Sequence, residues 1–369
     1  MQIDPEFEPV LREMEAQVAA GLRPSIQGAV RWRGELVFDA ATGDGATAET
    51  PYVMWSSTKP LVAVALLQAV DEDLIGLDDR VTRVIPEFGA GGKEHVTLAH
   101  LLTHRGGFPD LPNRGEELAK LSTDWDACVR LVCQMDAIWT PGKDRGYHPK
   151  SSWYIVGELV QRLRDRPLTE VLRERVLAPC GVAPHGFCLG DVERLKQPPM
   201  PVQTNGERGA PPESEARYWN DARSLSSVIP GASGIGIASE ITKFYQALLN
   251  HGRGTEGQLL SPEMVRRATF PQVVGFTDRT FLRDIPWGLG FHLKHTQPSL
   301  DDCGDSATPG TFGHAGHFIV NTFWADPQKQ LTAGFLSNGL APPKEGTAGV
   351  NRLSESVHRI VDALARKTE

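Results

Sequence analysis

A serine and a lysine three positions apart form the first chemical signal in this chain. The segment Trp55-Ser56-Ser57-Thr58-Lys59-Pro60 contains its only S-x-x-K. If Ser56 opens a helix, the Lys59 amine lies one turn further on the same face and reaches the serine oxygen. A serine hydroxyl becomes a good nucleophile when a neighbouring base takes its proton, and burial can lower the pKa of a lysine enough for that task. Although an isolated S-x-x-K is more often a solvated helix start, the pair predicts Ser56 as nucleophile and Lys59 as base.

A tyrosine after a tight turn is a second candidate. The turn Trp139-Thr140-Pro141-Gly142 leads to Tyr147, and a strong helical pattern follows from Ser151. A phenolate near a lysine would be stabilised by the positive charge, so Tyr147 is interpreted as a second proton carrier. Taken singly, a half-buried tyrosine bonded to the backbone is the commoner situation.

A third segment, Phe312-Gly313-His314-Ala315-Gly316-His317, enters a strand-like run over residues 318–324. Its small residues would let a substrate approach the strand edge, where free N–H groups can hold an oxyanion. The N-terminus of the helix at Ser56 would supply further N–H groups of the same kind.

The periodicity predicts an α/β (α+β) protein in which both chain ends build one layer. An antiparallel sheet flanked by N- and C-terminal helices would carry an inserted, mostly helical region. We expect an α/β domain of residues 1–70 plus 275–369, a helical domain of residues 71–274, and a site in the cleft between them. The segments 196–217, predicted as a surface loop, and 271–286 would shape the pocket. The predicted elements are a helix starting at Asp4-Pro5, strands over 25–32, 35–40, 318–324 and 330–336, helices over 61–71, 98–103, 151–164 and 241–250, and a closing helix over 350–364.

Composition and charge exclude several classes of function. A net charge of −8 argues against a nucleic-acid partner, since such proteins carry a basic face. No run approaches the ~20 apolar residues of a membrane span, and the N-terminus has no secretory signal. Five cysteines at irregular spacing predict neither a disulfide framework nor a zinc site. The sequence therefore predicts a cytoplasmic protein without membrane contact, metal or cofactor, and no motif indicates its oligomeric state.

The order of these motifs resembles that of the serine β-lactamase and penicillin-binding superfamily: S-x-x-K, a Tyr after a Trp-x-Pro-Gly turn, then H-x-G. More narrowly, the chain is similar to the class C β-lactamase-related branch, which includes family VIII carboxylesterases, D-aminopeptidases and acyltransferases. Three further stretches extend the resemblance across nearly the whole chain. They are Leu98–Gly107, similar to the family's "LLTHTSG" segment, Ser233-Gly234-Ile235-Gly236, and Trp287-Gly288-Leu289-Gly290-Phe291.

The resemblance implies a β-lactamase/transpeptidase-like fold and a role for each motif. Ser56 would form an acyl-enzyme, with Lys59 and Tyr147 sharing the proton transfers. His314 would stand where the family has a Lys or His, and the backbone N–H groups of Ser56 and His317 would form the oxyanion hole. The residues expected to contact substrate are His314, Ala315, Gly316, Trp55 and Trp287.

Two departures from the family pattern bear on substrate. The second motif reads Tyr147-His148-Pro149 where β-lactamases usually have Tyr-x-Asn, so the amide that holds a penicillin's acylamino group is missing. The third motif is His-Ala-Gly rather than Lys-Thr-Gly, and an imidazole attracts a carboxylate less than a lysine does. Both departures favour a hydrolase of a small ester, thioester or amide over a β-lactamase or cell-wall peptidase.

Other functions stay open at this point. A transacylase passing the acyl group to an alcohol or amine would share every catalytic residue, and Trp55, Trp139, Trp153, Phe108 and Trp287 could form its acceptor site, although core packing is the commoner role of such rings. A β-lactamase or D-aminopeptidase and a non-catalytic ligand-binding relative are lesser alternatives. A metal at the His314-x-x-His317 pair is disfavoured, because residues three apart on a strand point to opposite faces. An α/β-hydrolase would need G-x-S-x-G, which the chain lacks.

Overall fold

A seven-stranded antiparallel sheet forms the centre of the protein. The structure is a computed structural model, which describes residues 1–111, 121–294 and 302–368. Its strands are β1 (Gln2–Ile3), β2 (Ile26–Trp32), β3 (Glu35–Thr42), β4 (Tyr52–Val53), β5 (Phe187–Leu189), β6 (Gln203–Thr204), β7 (Gly234–Gly236), β8 (Thr277–Asp278), β9 (Arg283–Asp284), β10 (His292–Leu293), β11 (Phe312–Ala315), β12 (Thr322–Asp326), β13 (Leu331–Ser337) and β14 (Gly339–Leu340). The main sheet has the order β1-β3-β2-β13-β12-β11-β10.

Helices lie on both faces of this sheet and in the long insertion. They are α1 (Glu8–Ala19), α2 (Lys59–Asp71), α3 (Leu98–Leu102), α4 (Trp125–Gln134), α5 (Ser151–Arg164), α6 (Leu168–Val171), α7 (Glu213–Asn220), α8 (Ala222–Leu225), α9 (Ala238–Leu249), α10 (Pro262–Thr269) and α11 (Pro343–Thr368). Among the described residues, no helix is both long and apolar enough to span a bilayer.

The two ends of the chain meet in the middle of the sheet, as the sequence predicts. Strand β2 pairs with β13 in antiparallel register from Ile26 opposite Ser337 to Trp32 opposite Leu331. Along β13, Ala333 and Phe335 join one apolar cluster and Leu336 joins the other, because successive side chains of a strand point to opposite faces. The sheet is therefore buried on both sides.

The first and last helices cover one face of the sheet. Met14 of α1 and Leu353 and Val357 of α11 pack in the same cluster as Trp324 and Phe335. Helix α9 covers the opposite face, where the Tyr245 ring stacks on Phe323 at 6.0 Å. This arrangement confirms the predicted sheet flanked by N- and C-terminal helices.

Helix α2 is the central element of the inserted region. All its residues from Lys59 to Val70 are buried, which is the pattern of a helix enclosed by protein on every side. It packs against α5, whose predicted bounds of Ser151 and Arg164 are confirmed. The first residue of this buried helix is the lysine of the S-x-x-K motif.

The strand predicted over residues 318–324 begins later than predicted. Residues His317–Ile319 form a 3₁₀ turn, and β12 begins at Thr322. The chain must reverse between β11 and β12, which pair antiparallel, and Ile319 takes a φ of +54° in this reversal. His314 and Ala315 of the third motif therefore lie on a separate strand, β11, and Gly316 begins the turn that follows it.

The segment 196–217 was only partly a loop. It contains the short strand β6 and the first turns of α7, which begins at Glu213. Helix α7 forms because Ala216 and Trp219, three positions apart, both bury against the main core. Composition identified the polar residues of this segment but missed the apolar pair that folds its end.

Shortening Leu353 to Ala should lower the free energy of unfolding by about 2–5 kcal/mol, because a fully buried leucine would be replaced by a cavity between α11 and the sheet. Urea denaturation followed by circular dichroism measures this change. Arg366→Ala, at an exposed position of the same helix, should change it by less than about 0.5 kcal/mol. Equal effects of the two substitutions would mean that α11 contributes nothing specific to the sheet's core.

Candidate active site

Ser56 sits in a 3₁₀ turn, Trp55–Thr58, that runs directly into α2. The predicted helical start is thereby confirmed, with Lys59 one turn after the serine. Trp55 has a φ of +46°, an unfavourable conformation for a bulky side chain that recurs at functional sites. The first amides of a helix have no intrahelical acceptors, so this turn brings both a hydroxyl and N–H groups to one point.

The Lys59 amine lies among three oxygen atoms. Its Nζ is 2.9 Å from Ser56 Oγ, 2.9 Å from the Pro149 carbonyl and 2.7 Å from the Gly231 carbonyl. Complete burial holds the pKa of Lys59 well below the usual lysine value, with Lys150 acting in the same direction and Asp110 opposing. A neutral amine has two N–H bonds and one lone pair. The two carbonyls accept both N–H bonds, which leaves the lone pair for the Ser56 proton.

Tyr147 approaches the same serine oxygen from the other side. Its hydroxyl donates to Ser56 Oγ over 2.7 Å. Burial raises the pKa of Tyr147 far above the usual value, more than the hydrogen bond to Ser56 lowers it. The sequence predicts a phenolate stabilised by the lysine charge, whereas burial raises the pKa of Tyr147 and so favours the neutral phenol.

The third motif is fastened to the residue that follows Ser56. Ser57 Oγ lies 3.0 Å from the His314 carbonyl and 2.9 Å from Asn321 Oδ1. The Asn321 amide donates to the Val53 carbonyl at 3.2 Å. A Cβ at Gly316 would come within 2.0 Å of Asn321 Oδ1, so only glycine fits there. These contacts align β11 with the start of α2.

His314 carries no positive charge in this environment. Its Nδ1 is 2.7 Å from the Ala315 carbonyl, and its ring stacks on His292 at 4.0 Å. Burial lowers the pKa of His314 well below its usual value, and His292 and Lys59 lower it further. Burial also lowers the pKa of His292 to about 3. The position where the family commonly has a lysine is therefore filled by an uncharged pair of imidazoles.

The His314 and His317 side chains have separate partners. His317 Nε2 is 2.7 Å from Glu215 Oε1 on α7, and its ring lies 6.1 Å from the Trp55 ring. In the part of the chain that the structure describes, no three His, Cys, Asp or Glu side chains are grouped as metal ligands would be. His317 also follows Gly316 directly, next to the loop that carries Ser56.

The tryptophans expected near the substrate are buried. Trp55 and Trp287 are 1% and 0% exposed. The Trp287 ring stacks on Tyr147 at 5.8 Å and contacts His104 at 4.4 Å and His292 at 4.3 Å. Trp153 and Phe108 are also buried, so their rings pack in the core. Contact of Trp55 or Trp287 with substrate stays a prediction.

Three side chains that sequence reasoning missed hold Tyr147 and the lysine's acceptor in place. Asp110 Oδ1 accepts from the amides of Lys150 and Ser151 at 2.9 and 2.7 Å and so caps α5 just after Pro149. Asp278 Oδ1 accepts from the Tyr147 amide at 3.2 Å, and the Phe281 ring contacts the Tyr147 ring in a tilted arrangement at 4.9 Å. Each contact joins distant parts of the chain, and no local pattern signals it.

Comparison with known proteins agrees with this geometry. The model of the Beta-lactamase family matches residues 11–355, and the chain belongs to that family. It is a serine acyl-transfer enzyme of the hydrolase or acyltransferase type.

Three relatives illustrate the range of similar proteins. Esterase EstB of Burkholderia gladioli is 26% identical over 85% of this chain and 86% of its own. Acyltransferase mokF of Monascus pilosus is 28% identical over 59% of this chain and 56% of its own. The crystal structure of a penicillin-binding protein homologue from Caulobacter crescentus superposes with a TM-score of 0.79 and 25% identity, over 98% of this chain and 99% of that one.

The depressed Lys59 pKa predicts the direction of the pH dependence. A base must be unprotonated, so kcat/KM for a p-nitrophenyl ester should fall as pH falls through one ionisation below the ordinary lysine value of about 10.4. Tyr147→Phe should lower kcat/KM by about 10²- to 10⁴-fold and keep this ionisation. The pH profiles of wild type and variant, measured by nitrophenol release, test both statements.

Tyr154→Phe is the matched control, because Tyr154 is another buried tyrosine of the same region and its ring contacts Trp125. It should leave the profile unchanged. If the acid limb disappears in Tyr147→Phe, the phenol rather than the amine is the base, and the assignment of Lys59 is wrong.

Proposed function

We propose that the protein is an esterase-type hydrolase that forms an acyl-enzyme on Ser56. One observation carries the proposal: Ser56 Oγ lies between the buried Lys59 amine at 2.9 Å and the hydroxyl of the half-buried Tyr147 at 2.7 Å. A nucleophile needs a base within hydrogen-bond reach, and a leaving group needs an acid at the same place. This arrangement supplies both to a single oxygen.

In the acylation step, the neutral Lys59 amine takes the Ser56 proton while Oγ attacks the ester carbonyl. The backbone N–H groups of Ser56 and His317 hold the oxyanion, which is the largest stabilising effect in reactions of this kind. Tyr147 gives its proton to the departing alcohol oxygen. After Tyr147 has given up its proton, the Lys59 ammonium passes the proton that it took from Ser56 to the Tyr147 phenolate. Lys59 and Tyr147 are close enough for this transfer because both contact Ser56 Oγ.

Deacylation reverses these roles with water as the nucleophile. The water occupies the place of the departed alcohol and loses a proton to the Tyr147–Lys59 pair. Ser56 Oγ leaves the acyl carbon and regains a proton, which restores the free enzyme. The charged groups in this scheme are the oxyanion, the Lys59 ammonium and the Tyr147 phenolate, and each of them forms only during the reaction.

The substrate class follows from charge. The stacked imidazoles of His314 and His292 supply no cation to attract a substrate carboxylate. Pro149 contributes only its carbonyl, already bound to Lys59, where a side-chain amide would hold a penicillin. These facts support a small uncharged ester, thioester or amide as donor and disfavour a β-lactamase or D-aminopeptidase.

Transfer to an alcohol or amine acceptor is a second candidate, favoured by the similarity to an acyltransferase. It uses the same acyl-enzyme and differs only in the molecule that clears it. Such an enzyme must bind the acceptor and exclude water. The catalytic residues are identical in both cases, so kinetics with added acceptors must decide.

Two further expectations accompany the proposal. All five cysteines are buried and none of them forms a disulfide, which supports a reducing, cytoplasmic compartment. The proposed cleft between a domain of residues 1–70 plus 275–369 and one of residues 71–274 is supported by the origin of the reacting groups. Ser56 and Lys59 come from the first part and Tyr147 and Gly231 from the second.

Intact-mass spectrometry after incubation with a p-nitrophenyl ester should show the acyl group added once to the wild type and never to Ser56→Ala. Ser57→Ala should retain the adduct, because Ser57 Oγ is bound to the third motif and takes no part in the attack. An adduct on Ser56→Ala, or none on the folded wild type with any ester, would disprove the proposal.

The same experiment with a panel of alcohols and amines separates hydrolysis from transfer. If the adduct disappears in buffer as fast as the enzyme turns over the ester, the protein is a hydrolase. If the adduct persists until an acceptor is added, and the acylated acceptor then forms, the transferase candidate is correct.

A further inference from the structure

Exposed large apolar side chains concentrate on one short segment. Of the eight found among the described residues, five lie between positions 270 and 282. They are Phe270, Val274, Phe276, Phe281 and Leu282. Contiguous exposed apolar groups commonly mark a binding surface. The last two belong to the hairpin formed by β8 and β9, Thr277–Asp284, here called the 277–284 hairpin.

The 277–284 hairpin touches the reacting groups directly. The Phe281 ring lies against the Tyr147 ring with centroids 4.9 Å apart and planes tilted by 39°, and the Tyr147 hydroxyl is 2.7 Å from Ser56 Oγ. Thr280 Oγ1 donates to the Tyr147 carbonyl at 3.1 Å, and Asp278 accepts from the Tyr147 amide. The apolar surface is therefore continuous with the site of acyl transfer.

A buried arginine holds this hairpin in position. Arg145, two residues before Tyr147, donates to the Ile285 carbonyl at 2.7 Å, to Asp284 Oδ1 at 2.8 Å and to the Phe276 carbonyl. Its guanidinium is fully buried beside Asp278, at 3.8 Å. A two-stranded hairpin has little stability of its own, so these contacts fix it to the scaffold.

Three charged side chains of the hairpin form ion pairs with the scaffold, while two of its large apolar side chains are exposed. Asp278 and Asp284 pair with Arg145, and Arg279 pairs with Asp144. Leu282 is 80% exposed and Phe281 39% exposed. Leu282 also has a φ of +56°, where glycine or asparagine would be less costly than a leucine. A large apolar residue therefore occupies a strained, solvent-facing position on the hairpin that contacts Tyr147.

We propose that Phe281 and Leu282 form an apolar subsite that binds an extended hydrocarbon group of the ester substrate. The inference rests on the proposed function and names the substrate class of the same site. The hydrocarbon group belongs either to the acyl chain or to the alcohol. In both cases it covers the Phe281 ring and Leu282 side chain and removes them from water.

Two series of esters test this subsite. In one, the acyl chain of a p-nitrophenyl ester grows from acetate to butyrate and octanoate. In the other, the alcohol of an acetate ester grows from methyl to butyl and octyl. Full burial of each added methylene is worth about a fourfold gain in kcat/KM. We expect a gain of about two- to fourfold per methylene in one series, which identifies the group that is bound.

The double variant Phe281→Ala/Leu282→Ala should lower the octanoate-to-acetate, or octyl-to-methyl, ratio of kcat/KM by at least about tenfold. Leu74→Ala is the matched control. Leu74 is also an exposed leucine, but it follows the far end of α2, about 18 Å along the helix from Lys59. It should leave the ratio unchanged.

The outcomes separate the subsite from the catalytic proposal. An equal loss on all esters, with an unchanged ratio, would mean that the hairpin only positions Tyr147, and the subsite is then wrong. A flat chain-length profile in the wild type also overturns it, while an acyl-enzyme on Ser56 would still support the esterase. Absence of an acyl-enzyme with every ester overturns the proposed function and the subsite together.

Discussion

The burial of one amine organises the whole site. A charged ammonium removed from water costs many kcal/mol unless it is paired, and burial lowers the pKa of Lys59. The amine in its neutral form needs only two acceptors for its N–H bonds, and the carbonyls of Pro149 and Gly231 provide them. Those carbonyls come from two loops far apart in the chain. The packing of α2, α5 and β7 serves to bring both loops to the first residue of α2.

The need of Lys59 for backbone acceptors explains why a proline, Pro149, is compatible with the second motif. A side-chain amide is absent at Pro149, yet the lysine needs an oxygen atom there and a backbone carbonyl supplies it. A backbone acceptor can be kept with any residue type, provided that the main chain stays in place. Asp110 achieves this by accepting from the two amides that follow Pro149. The catalytic arrangement is thus retained while the polar group that faces a substrate is lost.

The surroundings of Ser56 combine neutral polar groups with apolar ones. His314 and His292 stack as uncharged rings, Trp287 lies against both of them, and Phe281 covers Tyr147. The buried guanidinium of Arg145 is turned towards the 277–284 hairpin and its carboxylates. A site of this composition fits an uncharged donor with a hydrocarbon group better than an anionic one. The same low polarity also strengthens the electrostatic effect of the N–H groups that hold an oxyanion.

Sequence by itself determined what depends on short spacing and on the order of motifs. Ser56 and Lys59 are one helical turn apart, so their encounter follows from local geometry, and α5 was predicted to the residue because its apolar periodicity is strong. Pairing of the chain's two ends followed from their mirrored order, with a helix and strands at one end and strands and a helix at the other. Tertiary structure decided the rest, namely the lowered pKa of Lys59, the raised pKa of Tyr147, the start of β12 and the contact of Phe281 with Tyr147. These features depend on burial and on contacts between residues about 90 to 170 positions apart, and neither is written in any local pattern, because desolvation and long-range packing exist only once the chain has folded.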